Sequence, residues 1–513
     1  MSSERQARPA VAAAALSGVL AGAAGLGLAE LVAGLLPGAP SVVTSVGTLL
    51  VALQPPGAKQ LVVDLFGTAD KLVLNLAVLV VALAIAGLLG LLARSRPTLA
   101  AAGFVVFGLV GLYAALSDPQ VDPPLATAVA AVSVVAAVVV LRRLLALASR
   151  RLEPAEMPDW SRRRFIGTSL AVAGSAAVAG GAGRFLLERA HAQAASVLPL
   201  PSPAASLAPL AADASLDVPG ITPIVMPNRD FYRIDTQLLT PRLDAASWSL
   251  RVSGMVDHEL TLDYADLAGM PQVEQYVTIA CVSNEVGGDL VGNARWAGVR
   301  LADVLDRAGV QDGATQLVGR AFDGWTAGFP TSWLAVPGRE AMIALGMNGE
   351  PLPPQHGFPA RLIVPGLFGY VSATKWLTNI ELTTLEAYDV YWVRLGWAKE
   401  APILTQSRID TPRAGSDLVA GSIPVAGVAW APDRGVSRVE VQVDDGAWNV
   451  AQRSDPISDA TWVQFVYRWP ATPGDHVLRV RATDGTGQTQ SADVTPPPPD
   501  GARGYHTVHV SVR

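Results

Sequence analysis

Tyr276-Val-Thr-Ile-Ala-Cys281-Val-Ser-Asn-Glu-Val-Gly287 holds the one cysteine of the 513-residue chain. The β-branched run up to Ile279 predicts a strand. Ser283, Asn284 and Gly287 predict a polar turn directly after it. Cys281 therefore stands where a strand hands over to a loop, a place from which a thiol can reach a ligand. A lone cysteine cannot form a disulfide within its own chain or build a thiolate zinc cage. Two readings of these residues stay open. Cys281 is a small buried hydrophobe, as free cysteines usually are, or it is a thiolate acting as ligand or nucleophile.

Around that stretch, from about residue 221, the pattern is one of short elements and turns. Trp248–Gly254 alternates as a strand, Leu260–Leu267 and Leu301–Ala308 predict short helices, and Thr378–Thr384 predicts another strand. The mixture is α+β. Beyond residue 396 the alternation is regular. Val425–Trp430, Val436–Val443, Trp462–Trp469, His476–Thr483 and His506–Val512 predict strands, Asp444-Asp-Gly and Asp484-Gly predict hairpins, and four prolines at 496–499 make a stiff loop. This predicts a β-sandwich. The 38 prolines and 48 glycines fit a loop-rich part of this kind, and a net charge of −6 gives no sign of nucleic-acid binding.

Upstream the chain is apolar. Stretches at about 10–36, 72–93, 98–116 and 124–148 each approach the ~20 helical residues that a bilayer core requires. The run at 41–53 is too short to span and is expected to be interfacial or re-entrant. Thr68 and Asp70 predict a helix start. Arg5, Arg8, Arg94, Arg96, Arg142, Arg143, Arg150, Arg151 and Arg162–Arg164 flank the spans, whereas the loop at 117–123 carries no basic residue. By the positive-inside rule the basic segments are cytoplasmic and that loop is outside. Glu30 and Asp64 are expected near a helix end or interface. No histidine precedes His191 and no methionine lies between Met1 and Met157. The bundle thus lacks the usual axial ligands of a built-in haem.

Ser161-Arg-Arg-Arg-Phe-Ile166 and the mildly apolar 167–183 resemble a twin-arginine export signal, with small-x-small sites at Ala190–Ala192 and Ala192–Ala194. An ordinary basic anchor before a fifth span is the other reading. The expected domains are a four-helix transmembrane region at 1–150, a cytoplasmic loop and signal or anchor helix at 151–193, a linker at 194–220, a globular domain at 221–395 and a sandwich at 396–513.

The two globular parts resemble the molybdopterin domain and the C-terminal immunoglobulin-like dimerisation domain of the sulfite oxidase family. Phe231-Tyr-Arg-Ile-Asp235 resembles its pterin-wrapping Phe-x-Arg-Asn-His stretch, and Cys281 with Asn284 resembles its metal-binding Cys-x-x-Asn turn. The most specific run is Met347-Asn-Gly-Glu-Pro-Leu-Pro, His356-Gly-Phe-Pro-Ala-Arg361, Val364-Pro-Gly-Leu-Phe-Gly and Lys375-Trp-Leu. The resemblance implies a molybdenum–molybdopterin cofactor with Cys281 as metal ligand. It implies cofactor contacts from Phe231, Tyr232, Arg233, Asp235, Asn284, Asp323, His356, Arg361, Ala373, Thr374 and Lys375. Arg233 and Arg434 are the implied substrate contacts. A soft thiolate suits a metal whose other ligands come largely from the cofactor, and His356, Arg361 and Lys375 suit an anionic one.

The implied reaction is oxygen-atom transfer at a sulfur or nitrogen oxide, in either direction, on the extracytoplasmic face of the cell membrane. Electrons would pass to a separate haem or quinone partner, and a homodimer is implied. A sulfoxide or N-oxide reductase, and a catalytically silent membrane scaffold, are the alternatives. Two positions depart from sulfite oxidases. Val286 stands where those enzymes carry an arginine, and Trp397 where a tyrosine is expected. Each departure removes a polar contact that a small anion would use.

Overall fold

The computed structural model describes residues 10–54, 70–149, 159–193, 200–203, 207–336 and 338–513. Arg5, Arg8, Asp64, Thr68, Arg150, Arg151 and part of the 194–220 linker lie outside the described residues. The chain divides into two units, residues 1–193 with 236–242, and residues 194–235 with 243–513.

The first unit is helical. Its helices are α1 (Val11–Leu35), α2 (Val42–Leu53), α3 (Asp70–Leu92), α4 (Pro97–Leu116), α5 (Pro123–Ser149) and α6 (Asp159–Gln193). All but α2 are long and apolar enough to cross a membrane. The α2 helix has 12 residues, a length of about 18 Å, so it cannot span. Ser41 begins it by accepting from the Thr44 amide at 3.3 Å. Glu30, near the end of α1, is buried and accepts from Ser41 Oγ at 2.8 Å. Arg184 of α6 donates to Thr44 Oγ1 at 3.1 Å. Small residues let α1 and α6 approach closely. A methyl group at Gly183 would fall inside the Glu30 backbone. The segment 236–242 belongs to this unit. Lys71 Nζ donates to the Gln237 carbonyl at 2.8 Å. Gln120 pairs with Arg242 at both backbone groups, at 2.8 and 3.2 Å.

The second unit holds nineteen named strands among the described residues. One sheet runs β2 (Leu260–Asp263), β1 (Ser249–Gly254), β10 (Leu377–Thr383), β5 (Gln316–Ala321), β6 (Thr326–Pro330). A second runs β3 (Gln272–Ala280), β4 (Val291–Arg300), β7 (Met342–Met347), β8 (Glu350–Pro351), with β9 (Arg361–Ile363) also on β7. The Leu260–Leu267 expectation is corrected here. Leu260–Asp263 pairs with β1, bringing Leu262 opposite Leu250. Asp263 then caps a separate helix, α7 (Tyr264–Gly269), in a reciprocal capping box with Asp266. Leu301–Ala308 is the helix expected and becomes α8.

The C-terminal part is two facing sheets. One is β11 (Gln406–Thr411), β13 (Gly421–Trp430), β17 (Val463–Ala471) and β16 (Gln452–Arg453). The other is β12 (Asp417–Leu418), β19 (His506–Val512), β18 (Gly474–Asp484), β14 (Val436–Val443) and β15 (Trp448–Val450). Phe465, Val441 and Val480 meet in the core between them. Trp430 and Trp462 instead join the core of the preceding α+β part, so the two parts of this unit share a buried seam.

Candidate functional site

The site is built where β3 ends. Ala280 pairs with Val291, which leaves 281–290 as the loop of a hairpin. The Cys281 amide donates to Leu290 O at 2.9 Å, and the Asn284 amide donates back to Cys281 O at 3.1 Å. Asn284 Oδ1 accepts from the Leu290 amide at 2.8 Å. The asparagine therefore closes the loop on itself and fixes the cysteine at its mouth, as a short polar side chain does in a turn. Cys281 is buried.

The segment 228–235 crosses the same region. Phe231 stacks on Tyr232 with centroids 5.2 Å apart and meets Trp296 and His356 edge-on at 5.8 and 5.6 Å. Burial and the nearby Cys281 charge push the Tyr232 hydroxyl well above its ordinary pKa, partly offset by Arg361. Tyr232 is thus within electrostatic reach of both. The third contribution is the run 354–376. Gly357 has φ +115 and lies so close to Lys375 that a methyl group there would come 3.0 Å from the lysine Cα.

Three cations converge. Lys375 Nζ donates to Asp235 Oδ2 at 3.0 Å and to Gln355 O at 3.1 Å. Arg233 Nε donates to the same Asp235 oxygen at 3.0 Å. Arg361 Nη1 donates to His356 O at 3.0 Å, and the guanidinium lies 5.0 Å over the Trp296 ring. Burial pushes the Lys375 ammonium down to about 8, against the pull of Asp235 and together with the push of Arg361. Burial likewise takes Arg361 down to about 10. It takes His356 down to about 3, with the Lys375 charge adding to the effect. Neutral His356 holds its Nε2 hydrogen toward Asn228 O at 2.9 Å. Three atoms here are buried without a hydrogen-bond partner: His356 Nδ1, Arg361 Nε and Thr374 Oγ1.

Such orphaned atoms are costly unless something meets them. Net positive charge in a buried site calls for an anion. The donors, the lone cysteine and the aromatic side chains of Phe231, Trp296 and Trp376 fit a large anionic ring cofactor that brings its own metal.

The comparisons with known proteins agree. Residues 237–392 match the model of the oxidoreductase molybdopterin binding domain. An uncharacterized oxidoreductase of Bacillus subtilis, YuiH, is 37% identical over 155 residues, covering 30% of this chain and 74% of that protein. This chain belongs to the sulfite oxidase family of molybdopterin-dependent oxidoreductases. Human mitochondrial sulfite oxidase is 30% identical over 321 residues, covering 53% of this chain and 58% of that protein. The chain thus spans about three-fifths of that relative's length. The sulfane dehydrogenase SoxCD of Paracoccus pantotrophus aligns at a TM-score of 0.46 and 22% identity, over 54% of this chain and 78% of that one. The cofactor that the family implies is molybdenum–molybdopterin.

Among the residues expected to contact the cofactor, Phe231, Tyr232, Arg233, Asp235, Cys281, Asn284, His356, Arg361, Thr374 and Lys375 lie on three converging segments. Ala373 is buried just before Thr374. Asp323 sits in the turn between β5 and β6, where it accepts from the Trp325 amide at 3.1 Å. Phe322 beside it meets Trp376 edge-on at 6.3 Å. Arg434 is held in ion pairs. It donates to Asp484 and Asp433, each at 3.0 Å, and to Ile403 O at 2.9 Å. Trp397 is buried between Tyr370 and Trp392. Asn228, Trp296 and Gln355 were not expected. Asn228 and Gln355 act through backbone carbonyls, which no side-chain pattern announces. Trp296 is an inward-facing position of a strand, with nothing in its spacing to mark it.

Proposed function

We propose that this chain is a membrane-anchored molybdenum enzyme that transfers an oxygen atom at a sulfur or nitrogen oxide on the extracytoplasmic side. One observation carries the reading. Buried Arg361 and Lys375 lie on the same run as the unpartnered atoms of His356 and Thr374, and Tyr232 feels the charge of both Arg361 and the chain's one cysteine. When bound, the cofactor supplies an exchangeable oxo group and a two-electron redox couple. The chain's own groups do the rest. Cys281 offers the thiolate ligand, Arg361, Lys375 and Thr374 hold the anionic part as donors, His356 Nδ1 accepts from a ring N–H, and the aromatic side chains exclude water. Arg233, 35% exposed at its side chain, stands at the rim as the cation that meets an incoming oxide.

Val286 and the ion-paired Arg434 favour a larger or neutral oxide over sulfite. Arg434 is proposed to brace the sandwich rather than to touch substrate. The immunoglobulin-like reading of that sandwich, its use in dimerisation and the domain limits at 150, 193, 220 and 395 are part of the same proposal. The membrane orientation is supported within the helical unit. Segment 236–242 is held at the end of the bundle that carries the 117–122 loop, away from Arg94, Arg142 and Arg143. The electron acceptor is a separate haem or quinone carrier. A screen of sulfite, sulfoxides and N-oxides with artificial electron carriers tests the function. Turnover of at least one by the wild type, absent in Cys281→Ser, is expected. Equal turnover by both would refute the role of Cys281, and turnover of none by loaded enzyme would favour the silent scaffold.

A further inference from the structure

We propose that Arg408 and His506, both from the C-terminal sandwich, are positioning residues for the loop that carries Cys281. The functional weight of this rests on the reading of Cys281 as metal ligand. Its geometry does not.

The near half of the 281–290 loop is tied by Asn284. The far half is held from outside. Val286 lies against Gly504. Gly287, at φ +79, lies flush on the His506 ring, so that a methyl group there would overlap the imidazole. The Gly288 carbonyl accepts from Arg408 Nη1 at 2.8 Å. Three successive loop residues thus rest on three residues of the sandwich.

The two side chains are themselves fixed. Arg408 also donates to Asp410 Oδ1 at 2.7 Å and to Thr222 Oγ1 at 2.8 Å. With its side chain 11% exposed, it has little freedom to re-aim. His506 Nδ1 accepts from the Ile409 amide at 3.0 Å, which places the hydrogen of the neutral ring on Nε2. Burial and the Arg408 charge hold that imidazole below its ordinary pKa, against the pull of Asp410. The strand on the other side of Cys281 is held by the same sandwich. The Thr278 amide donates to Ala460 O at 2.9 Å, and Thr278 Oγ1 accepts from the Trp462 amide at 2.8 Å. The backbone is therefore held on both sides of the thiol by a domain that contributes no ligand of its own. Positioning of this kind sets where a ligating atom points.

The single cysteine makes the test clean, because a maleimide reagent reports on Cys281 alone. The full chain is made in a host lacking the cofactor and purified in detergent, and the labelling rate is measured with the thermal melt of each variant. R408A and H506A are expected to label about tenfold faster than wild type through local opening of the loop, while still melting above the assay temperature. H506N keeps an acceptor in the place of Nδ1 and is expected to label like the wild type. Made in a cofactor-producing host, R408A and H506A are also expected to retain less molybdenum. Unchanged labelling in R408A and H506A would overturn the proposal. So would an H506N as reactive as H506A, or a gain seen only in variants that have globally unfolded. If R408A fails to fold, the contrast between H506A and H506N decides alone. Molybdenum retained in Cys281→Ser would refute the ligand assignment and leave the labelling result standing, so the two failures are distinguishable.

Discussion

Lys375 shows how burial and charge are balanced at one residue. Its ammonium is held at about 8 instead of its ordinary 10.5. Between those values the unfolded chain carries a proton that the folded chain lacks. The folded state without cofactor is therefore destabilised below about pH 8, and that penalty is relieved as pH rises toward 10.5. The charged form is the one that would hold an anionic cofactor, so cofactor retention is expected to fall as pH rises through 8 to 9.5. Metal analysis after dialysis at pH 7 and at pH 9.5 checks this, and equal retention would contradict it. Arg361, held at about 10, is expected to keep its charge through most of that pH window. Removing one buried charge-assisted contact costs about 1.5–3 kcal/mol, so Arg361→Ala should weaken cofactor retention about ten- to a hundredfold. Arg434→Ala should behave differently. It removes one partner each from buried Asp484 and Asp433, which keep Thr405 and Arg339 respectively. It should destabilise by about 1.5–3 kcal/mol while leaving KM unchanged. A raised KM in a stable variant would return Arg434 to the substrate.

Elements differed in how plainly the sequence marks them. Long apolar helices and alternating strands are legible because burial imposes their period. The apolar helices α1, α3, α4 and α5 and the strands at 436–443 and 506–512 lie where the pattern predicts. The miss at Leu260–Leu267 has a local cause. Leu260 and Leu262 satisfy a two-residue period and Asp263 a capping rule, and both compete with helical spacing. The site was legible through side chains in order, Cys281, His356, Arg361 and Lys375, whereas its backbone contacts and the aromatic Trp296 were not. Trp462 belongs to this scale. It is wholly buried, and its indole donates to Ile224 O at 2.8 Å, tying β17 to the segment that leads into the site. Trp462→Ala is expected to cost about 3–5 kcal/mol. The melt of the globular half should shift down accordingly, and a change under 1 °C would contradict the shared seam.

At the scale of the molecule, five helices able to cross a membrane precede a molybdopterin domain and a sandwich. The chain is expected to stay in membranes after an alkaline carbonate wash, and protease added from outside is expected to reach the globular half. Release by the wash, or protection in intact cells, would contradict the proposed topology. The most direct measurement is the molybdenum and pterin content of the purified full chain beside that of Cys281→Ser. Equimolar molybdenum and pterin in the wild type, with molybdenum strongly depleted in the variant, is the predicted result. A well-folded wild-type chain that carries neither, from a host that makes the cofactor, would contradict the account.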